Sequence, residues 1–308
     1  MLLEDDTAGD PITGVKWTRK SLRTLSQALG DEGYAACPNT VRRLLRQQKF
    51  SLRVNRKQLT GQPHEQRNEQ FQYIATQKAI FQAMGWPIIS VDAKKRELVG
   101  LFKNPGRTWR QEAIAVNMHD FLQEAMGKAI PYGIYDLIRN QGTVFVGTSA
   151  ETAQFAVESI AAWWQEEGQI HFLQAPAILI LCDCGGGNGY RVRLWKQQLQ
   201  QEIADNFDLA AVVCHYPTGA SKWNPIEHRM FSLISNNWAG QPLTSYETII
   251  NYIETTRSET GFSARAVLVE KTYETGIKVS DAEMEALHLI RHPTCPQWNY
   301  TLLPRVAL

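Results

Sequence analysis

Apolar positions near the N-terminus recur at the spacing of two short helices. The leucines of residues 21–29 fall on one helical face, and Gly30 ends the pattern. A second amphipathic helix follows Pro38. Three arginines project from its polar side: Arg42, Arg43 and Arg46. The order of helix, turn and basic helix predicts a helix-turn-helix-like segment over residues 1–57 that binds DNA. The alternative is a helical hairpin whose arginines are only solvated.

Beyond this segment, short apolar runs alternate with helical patterns. Residues 58–85 are predicted to be a polar linker followed by a helix. Strands are predicted at residues 87–92, 97–102, 143–147, 177–182 and 210–214, and helices at residues 152–166, 190–206 and 226–238. This order predicts an α/β fold over residues 86–308, in which helices flank a mixed five-stranded sheet. The stretch from about 103 to 141 is too long for a hairpin connection and is predicted to be an insertion over the active face.

Composition narrows the class of protein. The chain has 308 residues, and its hydrophobic content of 44% is enough for a packed core. Its longest apolar run, near residues 175–182, is far shorter than the roughly 20 residues that cross a bilayer, and no charged-then-apolar leader opens the chain. The five cysteines show no Cys-x-x-Cys spacing, which favours reduced thiols over a zinc site or disulfides. We therefore expect a cytoplasmic, nucleoid-associated protein with no membrane partner.

Charge is distributed unevenly along the chain. The formal net charge is only +1, but residues 16–57 hold eleven Lys and Arg against two acids. A concentrated basic patch of this kind binds phosphates with release of counterions. The charge pattern therefore indicates a nucleic-acid partner that contacts the N-terminal region.

Three acids follow apolar patterns in positions suited to metal binding. Asp92 and Asp183 each end an apolar strand, and Glu227 lies at the beginning of a predicted helix. Carboxylates in such positions can hold two Mg²⁺ ions, for which Mn²⁺ can substitute, and thereby cut or join phosphodiesters. The three acids are thus predicted both as catalytic residues and as metal ligands.

Each acid also has a structural interpretation. An Asp at a strand end commonly forms a turn, although the glycine-rich loop after Asp183 would let a polynucleotide backbone approach closely. That loop does not fit the dinucleotide fingerprint, because Tyr190 stands where glycine is required. Glu227 could close a capping box with Asn224. Its place in an apolar helical stripe favours metal ligation instead, because a carboxylate facing a core needs a compensating cation.

Other polar residues are candidates for substrate contact. Lys222 and Trp223 suit phosphate contact and base stacking. Together with Asn188, they extend the predicted DNA-binding set of the three arginines. Four further residues are possible accessory groups: His119, Asp120, His228 and Arg229.

Four ordered blocks of sequence are similar to the DDE transposases of the ISAzo13 insertion-sequence family. They begin at Ser90, Gly127, Cys182 and Cys214, and the last of them ends in the run Ser-Lys-Trp-Asn-Pro-Ile-Glu-His-Arg. The resemblance covers nearly all of residues 10–300. It departs at Gly187, where the family usually carries serine, and at the N-terminus, where part of the family's DNA-binding region is expected to be missing.

The resemblance implies an RNase H-like catalytic fold with Asp92, Asp183 and Glu227 as the metal-binding triad. It further implies an Mg²⁺-dependent transposase that cleaves and joins double-stranded DNA at transposon terminal repeats and at a target, as a homo-oligomer in the synaptic complex. Two alternatives stay open. One is a truncated, non-catalytic DNA-binding remnant, and the other is an RNase H-like nuclease.

Overall fold

The structure is a computed structural model that describes residues 8–9, 16–17, 20–52, 65–220 and 223–305. The chain divides into two compact units, Met1–Thr60 and Gly61–Leu308. The first unit holds the short paired strands Ala8–Gly9 and Lys16–Trp17 and two helices, α1 (Leu22–Asp31) and α2 (Pro38–Gln47).

The two helices of the first unit form where the hydrophobic pattern predicts them. The Ser21 side chain caps α1 by accepting a hydrogen bond of 3.1 Å from the Thr24 N–H. Leu25 and Val41 are the buried residues of α1 and α2. All three predicted DNA-contacting arginines are exposed: Arg42, Arg43 and Arg46. Their role in DNA binding stays a prediction.

The second unit is built on one mixed sheet of nine strands. In chain order the strands are β1 (Ile88–Ala93), β2 (Glu97–Val99), β3 (Gly127–Asp136), β4 (Gln141–Gly147), β5 (Ala177–Cys182), β6 (Ala210–His215), β7 (Ser263–Val269), β8 (Leu289–Arg291) and β9 (Asn299–Leu302). Five of them form the centre in the order β4-β3-β1-β5-β6. Strand β3 is antiparallel to β1 and β4, whereas β5 and β6 run parallel to β1. This is the strand order of the RNase H-like fold, and it confirms the predicted fold class.

The sheet is larger than predicted, and its second central strand lies where an insertion was expected. Gly127–Asp136 pairs with both β1 and β4, so only part of the stretch 103–141 is an excursion from the sheet. This strand was not predicted, because Pro131 and two glycines are typical of loops. On one side of β3, pairing with β1 ends at Tyr132 and pairing with β2 begins at Ala129. Pro131 lies between these two positions, where no ladder hydrogen bond requires its missing N–H, so it is tolerated. The predicted strand 97–102 shrinks to the short edge strand Glu97–Val99.

Helices cover the sheet on both faces. They are α3 (Arg67–Met84), α4 (Ala153–Trp163, continued by the π turn Trp164–Gly168 and by Gln169–His171), α5 (Arg193–Gln198, continued by the π turn Leu199–Asp205), α6 (the π turn Glu227–Phe231 followed by Ser232–Asn237), α7 (Tyr246–Glu254) and α8 (Asp281–Glu285). Within the described part of the chain, no helix combines the length and the apolar composition that a membrane crossing requires.

Strand alternation decides which helices each residue of β1 meets. Ile89 and Val91 pack with α4 and α5 in the largest buried cluster, whereas Ile88 points to the other face. On that other face Ile88 packs with Leu179 and Leu181 of β5. Side chains two residues apart on a strand share a face. Ser90 and Asp92, which follow Ile88 at this spacing, and Asp183, which follows Leu181, are therefore directed to the same side of the sheet.

Candidate active site

The register of the two parallel strands brings Asp92 and Asp183 next to each other. Val91 pairs with Cys182, so Asp92 and Asp183 occupy the next position on neighbouring strand ends. Neighbouring strands lie about 4.8 Å apart. Both aspartates follow the face that carries Ile88 and Leu181, so both are directed to the same side of the sheet.

Asp92 is held by hydrogen bonds from two directions. Its Oδ1 accepts a bond of 2.8 Å from the Ala93 N–H, and its Oδ2 accepts one of 3.4 Å from the Asn224 amide. The Asn224 Oδ1 accepts the hydroxyl proton of Ser90, whose oxygen in turn accepts from the Ile226 N–H at 3.3 Å. The fully buried Asn224 and Ser90 therefore join the end of β1 to the beginning of the helix that carries Glu227.

Glu227 begins the π turn of α6 and is half-buried. The capping box proposed as its structural role does not form. The Asn224 side chain is committed to Ser90 and Asp92, and the Glu227 N–H bonds the Asn224 main-chain carbonyl at 3.2 Å. The apolar stripe predicted around Glu227 is buried: Met230, Phe231, Ile234 and Trp238. Wide π turns occur frequently at functional sites, where they redirect a side chain.

Asp183 opens the glycine-rich loop and also forms a local turn. Its Oδ1 accepts a bond of 3.0 Å from the Gly185 N–H. The loop packs so tightly that a Cβ at Gly187 would lie 2.8 Å from the Thr152 carbonyl carbon at the beginning of α4. A Cβ at Gly186 would meet the Glu151 carboxylate at 2.7 Å. The glycines therefore let the loop lie directly on the residues that precede α4.

A chain of buried hydrogen bonds fixes the main chain at Asp183. The Trp195 indole N–H donates to the Tyr300 hydroxyl at 2.9 Å, and that hydroxyl lies 3.0 Å from His215 Nε2. His215 Nδ1 lies 2.8 Å from the Asp183 carbonyl, which can only accept. The Tyr300 hydroxyl therefore donates to Nε2, and Nδ1 carries the imidazole proton. Burial lowers the pKa of His215 to about 4, which keeps the ring neutral at physiological pH.

The acids affect one another electrostatically. Burial, followed by the negative charges of Asp183 and Glu227, raises the pKa of Asp92 to about 8. The pKa of Glu227 is raised by burial and by Asp183, while His228 and Lys94 act in the opposite direction. These three carboxyl groups are therefore close enough to disfavour one another's ionisation.

Glu151 is a fourth acid at the same place. Burial is the main cause of the raised pKa of Asp183, and the charge of Glu151 adds to it. Glu151 also pairs with Arg96 at 3.6 Å. Glu151 was not predictable from the sequence, because a single acid in a loop before a helix carries no distinctive signal.

The fit of the site to divalent ions depends on its donors. Within the described residues, no group of three His, Cys, Asp or Glu side chains is arranged so that it could hold a metal ion as it stands. The donors are nevertheless the carboxylate oxygens that Mg²⁺ prefers. The buried Tyr132 hydroxyl has no hydrogen-bond partner in the described part of the chain. Burial is the main cause of its raised pKa, and Cys182, Asp92 and Asp183 add to it, which places this polar group near the two acids. The residues present therefore fit a hydrated divalent ion.

The remaining predicted site residues have varied positions. Asn188 is buried in the glycine-rich loop, and its amide nitrogen has no hydrogen-bond partner among the residues that the structure describes. Its contact with DNA stays a prediction. Trp223 is 46% exposed. Lys222 lies outside the described residues.

The four possible accessory groups fall into two pairs. His228 and Arg229 are exposed beside Glu227. His119 and Asp120 are exposed on the loop between β2 and β3, where the His119 ring lies 5.1 Å from that of Phe121. The structure therefore brings His228 to a cavity that Glu227 also lines, whereas Arg229 lines a different cavity.

Two cavities open at the acids. One, of about 510 Å³, is lined by Glu227 with Lys94, Lys95 and His228 among others. The other, of about 450 Å³, is lined by Asp183, Tyr190 and Arg191 among others. Each cavity thus combines an acid with at least one basic side chain.

An RNase H-like sheet with acids at the ends of adjacent strands is typical of DDE-type polynucleotidyl transferases. The chain matches the model of the family described as Rhodopirellula transposase DDE domain over residues 1–304. It belongs to this family of DDE transposases, and the resemblance to the ISAzo13 group is confirmed. No curated protein matches the chain.

Solved structures of the Mos1 transposase are similar to this chain. The Mos1 paired-end complex with the left transposon end has a TM-score of 0.45 at 12% identity, over 76% of this chain and 65% of that chain. The Mos1 strand transfer complex has a TM-score of 0.46 at 12% identity, over 76% and 64%. The mariner Mos1 paired-end complex with Mg has a TM-score of 0.43 at 13% identity, over 76% and 65%. The chain thus spans less than two thirds of the length of these Mos1 chains.

Proposed function

We propose that this DDE transposase cleaves DNA at transposon ends and transfers the freed strand to a target, with Asp92, Asp183 and Glu227 as metal ligands. The observation that carries the proposal is the geometry of β1 and β5. Their parallel register brings Asp92 and Asp183 to adjacent strand ends on one face of the sheet. The Asn224 amide links the beginning of the helix of Glu227 to the same carboxylate.

Two bound Mg²⁺ ions, or Mn²⁺ in their place, would supply Lewis acidity for the attacking and leaving oxygens of the phosphodiester. The protein's own groups orient the donors. Asn224 and the Ala93 N–H fix the Asp92 carboxylate, and His215 fixes the main chain of Asp183. Lys94 lines the cavity of Glu227 and is held there by an ion pair of 2.7 Å with Glu97, from where its charge favours the ionised form of Glu227.

The proposal needs no covalent link between protein and DNA. Water, or later a freed 3′-hydroxyl, attacks the phosphodiester directly, so no serine or tyrosine acts as a nucleophile. Double-stranded DNA of the terminal repeats and of the target would be the substrate. Because two ends are joined in one reaction, we propose a homo-oligomer as the active form.

The test replaces Asp183 with asparagine, which keeps the size of the side chain and removes its charge. Asp183→Asn should abolish metal-dependent cleavage of terminal-repeat DNA while DNA binding persists. The matched control is Asp208→Asn, an exposed aspartate with a φ of 50°, a conformation that asparagine adopts readily. Cleavage by Asp183→Asn at the rate of this control would refute the assignment.

The same assay separates the two alternatives. A non-catalytic remnant would bind terminal-repeat DNA without cutting it under any metal condition. An RNase H-like nuclease would cut without joining and would prefer RNA–DNA hybrids. Joined products from the terminal repeats, formed with Mg²⁺ or Mn²⁺, support the transposase alone.

A further inference from the structure

A cavity of about 640 Å³ opens beside the beginning of α6 and is lined by none of the three acids. Isoleucine, leucine and proline side chains form part of its lining. The rest of the lining consists of polar and aromatic groups: Lys78, Gln82, Trp223, His228 and Arg229. We call it the basic cavity. Its volume lies within the range of about 300–1,000 Å³ that is usual for ligand sites.

The charge of the basic cavity is positive without local compensation. None of the described residues that line it is acidic, while Lys78 and Arg229 both carry positive charge. Burial, followed by the like charge of Arg229, lowers the pKa of Lys78. Two cations that face one cavity repel each other unless an anion lies between them. The arrangement therefore favours an anionic occupant.

The aromatic side of the cavity suits a nucleobase. Trp223 is 46% exposed, and its ring is supported by Phe71 at 5.6 Å between ring centres and by the Arg67 guanidinium at 5.1 Å. An indole held in this way offers a surface on which a base can stack, whatever its sequence. A base beside an anionic group is the chemistry of a nucleotide.

The basic cavity also lies on a path from the acids. His228 lines both the basic cavity and the cavity of Glu227. A strand that leaves the site of the acids past His228 reaches the basic cavity directly. A duplex does not fit a space of this size, whereas one unpaired nucleotide strand does.

We propose that the basic cavity binds a single-stranded segment of the DNA on which the acids act. One phosphate of the strand lies between Lys78 and Arg229, and an adjacent base stacks against Trp223. This inference rests on the proposed function, because it gives the route that one strand takes beyond the cleaved bond.

The first experiment measures binding by the full chain to a deoxythymidine oligonucleotide of about ten nucleotides that contains one 2-aminopurine. A chelator is present, so cleavage does not occur. Lys78→Gln with Arg229→Gln should raise the Kd at least about tenfold and lower the salt dependence by about 0.7 for each phosphate contact removed. Lys278→Gln is the control for loss of an exposed charge.

The second measurement follows the fluorescence of the 2-aminopurine, which stacking on an indole quenches. Quenching by the native protein should disappear in Trp223→Leu and persist in Trp109→Leu, whose tryptophan is fully exposed. DNA bound by the arginines of the first unit adds to affinity but not to this signal. Lys78→Arg keeps the positive charge and should bind the oligonucleotide as the native protein does. This result would exclude a folding defect as the cause of weaker binding in the double variant.

The outcomes distinguish the cavity from the catalytic assignment. Unchanged Kd in the double variant, or equal loss of quenching in Trp223→Leu and Trp109→Leu, overturns the basic cavity as a strand site. Terminal-repeat cleavage, measured in parallel with Mg²⁺, tests the proposed function. Cleavage with no effect of the cavity variants on binding refutes only the cavity, and quenching without any cleavage by the native protein refutes only the catalysis.

Discussion

Replacing Lys196 with methionine should make the protein more stable at neutral pH and less active. Lys196 is only 5% exposed, and its ammonium lies 5.3 Å from the centre of the Tyr300 ring. The same ammonium donates a hydrogen bond to the carbonyl of Tyr190, at the end of the glycine-rich loop that follows Asp183. Burial, followed by the charges of Arg291 and Arg193, lowers the pKa of Lys196 to about 8.

The lowered pKa of Lys196 gives the size and the sign of its effect on the free energy of unfolding. An unfolded lysine has a pKa near 10.5, and each unit of difference corresponds to roughly 1.4 kcal/mol, so the buried charge destabilises the folded state by about 3 kcal/mol at most. Methionine removes that penalty but loses a hydrogen bond and a cation–π contact worth about 1 kcal/mol each. The expected net gain in the free energy of unfolding is about 1 kcal/mol at pH 7.

The folded protein binds the Lys196 proton more weakly than the unfolded chain does. Between about pH 8 and 10.5 the unfolded state therefore holds more protons, and the stability of the native protein rises with pH relative to the variant. Urea unfolding of both proteins at pH 7 and pH 10 measures this difference and cancels other titrating groups. The advantage of Lys196→Met should shrink or reverse at pH 10.

The cleavage activity of Lys196→Met should decrease, although its stability at pH 7 should increase. Without the bond to the Tyr190 carbonyl, the loop after Asp183 loses an anchor, and metal-dependent cleavage should fall by about tenfold, which corresponds to roughly 1.4 kcal/mol. A variant that is less stable than the native protein at pH 7, or a stability difference that does not change between pH 7 and 10, would refute the account of Lys196 as a buried charge retained for the loop.

Three further substitutions test other parts of the site. Gly133→Ala places a Cβ 2.5 Å from Met230 in α6, so it should lower the free energy of unfolding by about 1–3 kcal/mol in thermal denaturation, whereas Gly30→Ala, in open space, should not. Tyr300→Phe removes the hydroxyl between Trp195 and His215 and should reduce stability by about 1–3 kcal/mol; an unchanged melting temperature would contradict the hydrogen-bond chain. Asn224→Ala should weaken Mn²⁺ binding in calorimetry, and undiminished affinity would show that Asp92 needs no support from it.

The central parallel strands were predictable because their side chains are buried on both faces. Continuous apolar runs of this kind place strands at Ile88–Ala93, Ala177–Cys182 and Ala210–His215 to within a residue or two. Gly127–Asp136 was not predictable in the same way. Local preference reads proline and glycine as loop, and only the gap between the partners of Pro131 makes that residue acceptable in a central strand.

In the candidate active site, too, some features were predictable from the sequence and others were not. Strand ends and an apolar helical stripe were enough to select Asp92, Asp183 and Glu227, whose catalytic role stays a prediction. The support of Asp92 by Ser90 and Asn224 was hidden, because these two side chains are 134 residues apart and meet only in the folded chain. From its neighbours in the sequence, Asn224 was interpreted as a helix cap, so there was no reason to expect a contact with Asp92.

The wide turn at Glu227–Phe231 has a consequence for comparing this chain with its relatives. A turn closed by bonds to the fifth residue holds one residue more than a regular helical turn does. A relative with an unbroken helix here would align correctly on one side of the turn and be displaced by a single position on the other. Matching by the buried Met230 and Ile234 would then assign the wrong side chain as the counterpart of Glu227, and only superposed coordinates would identify the right one.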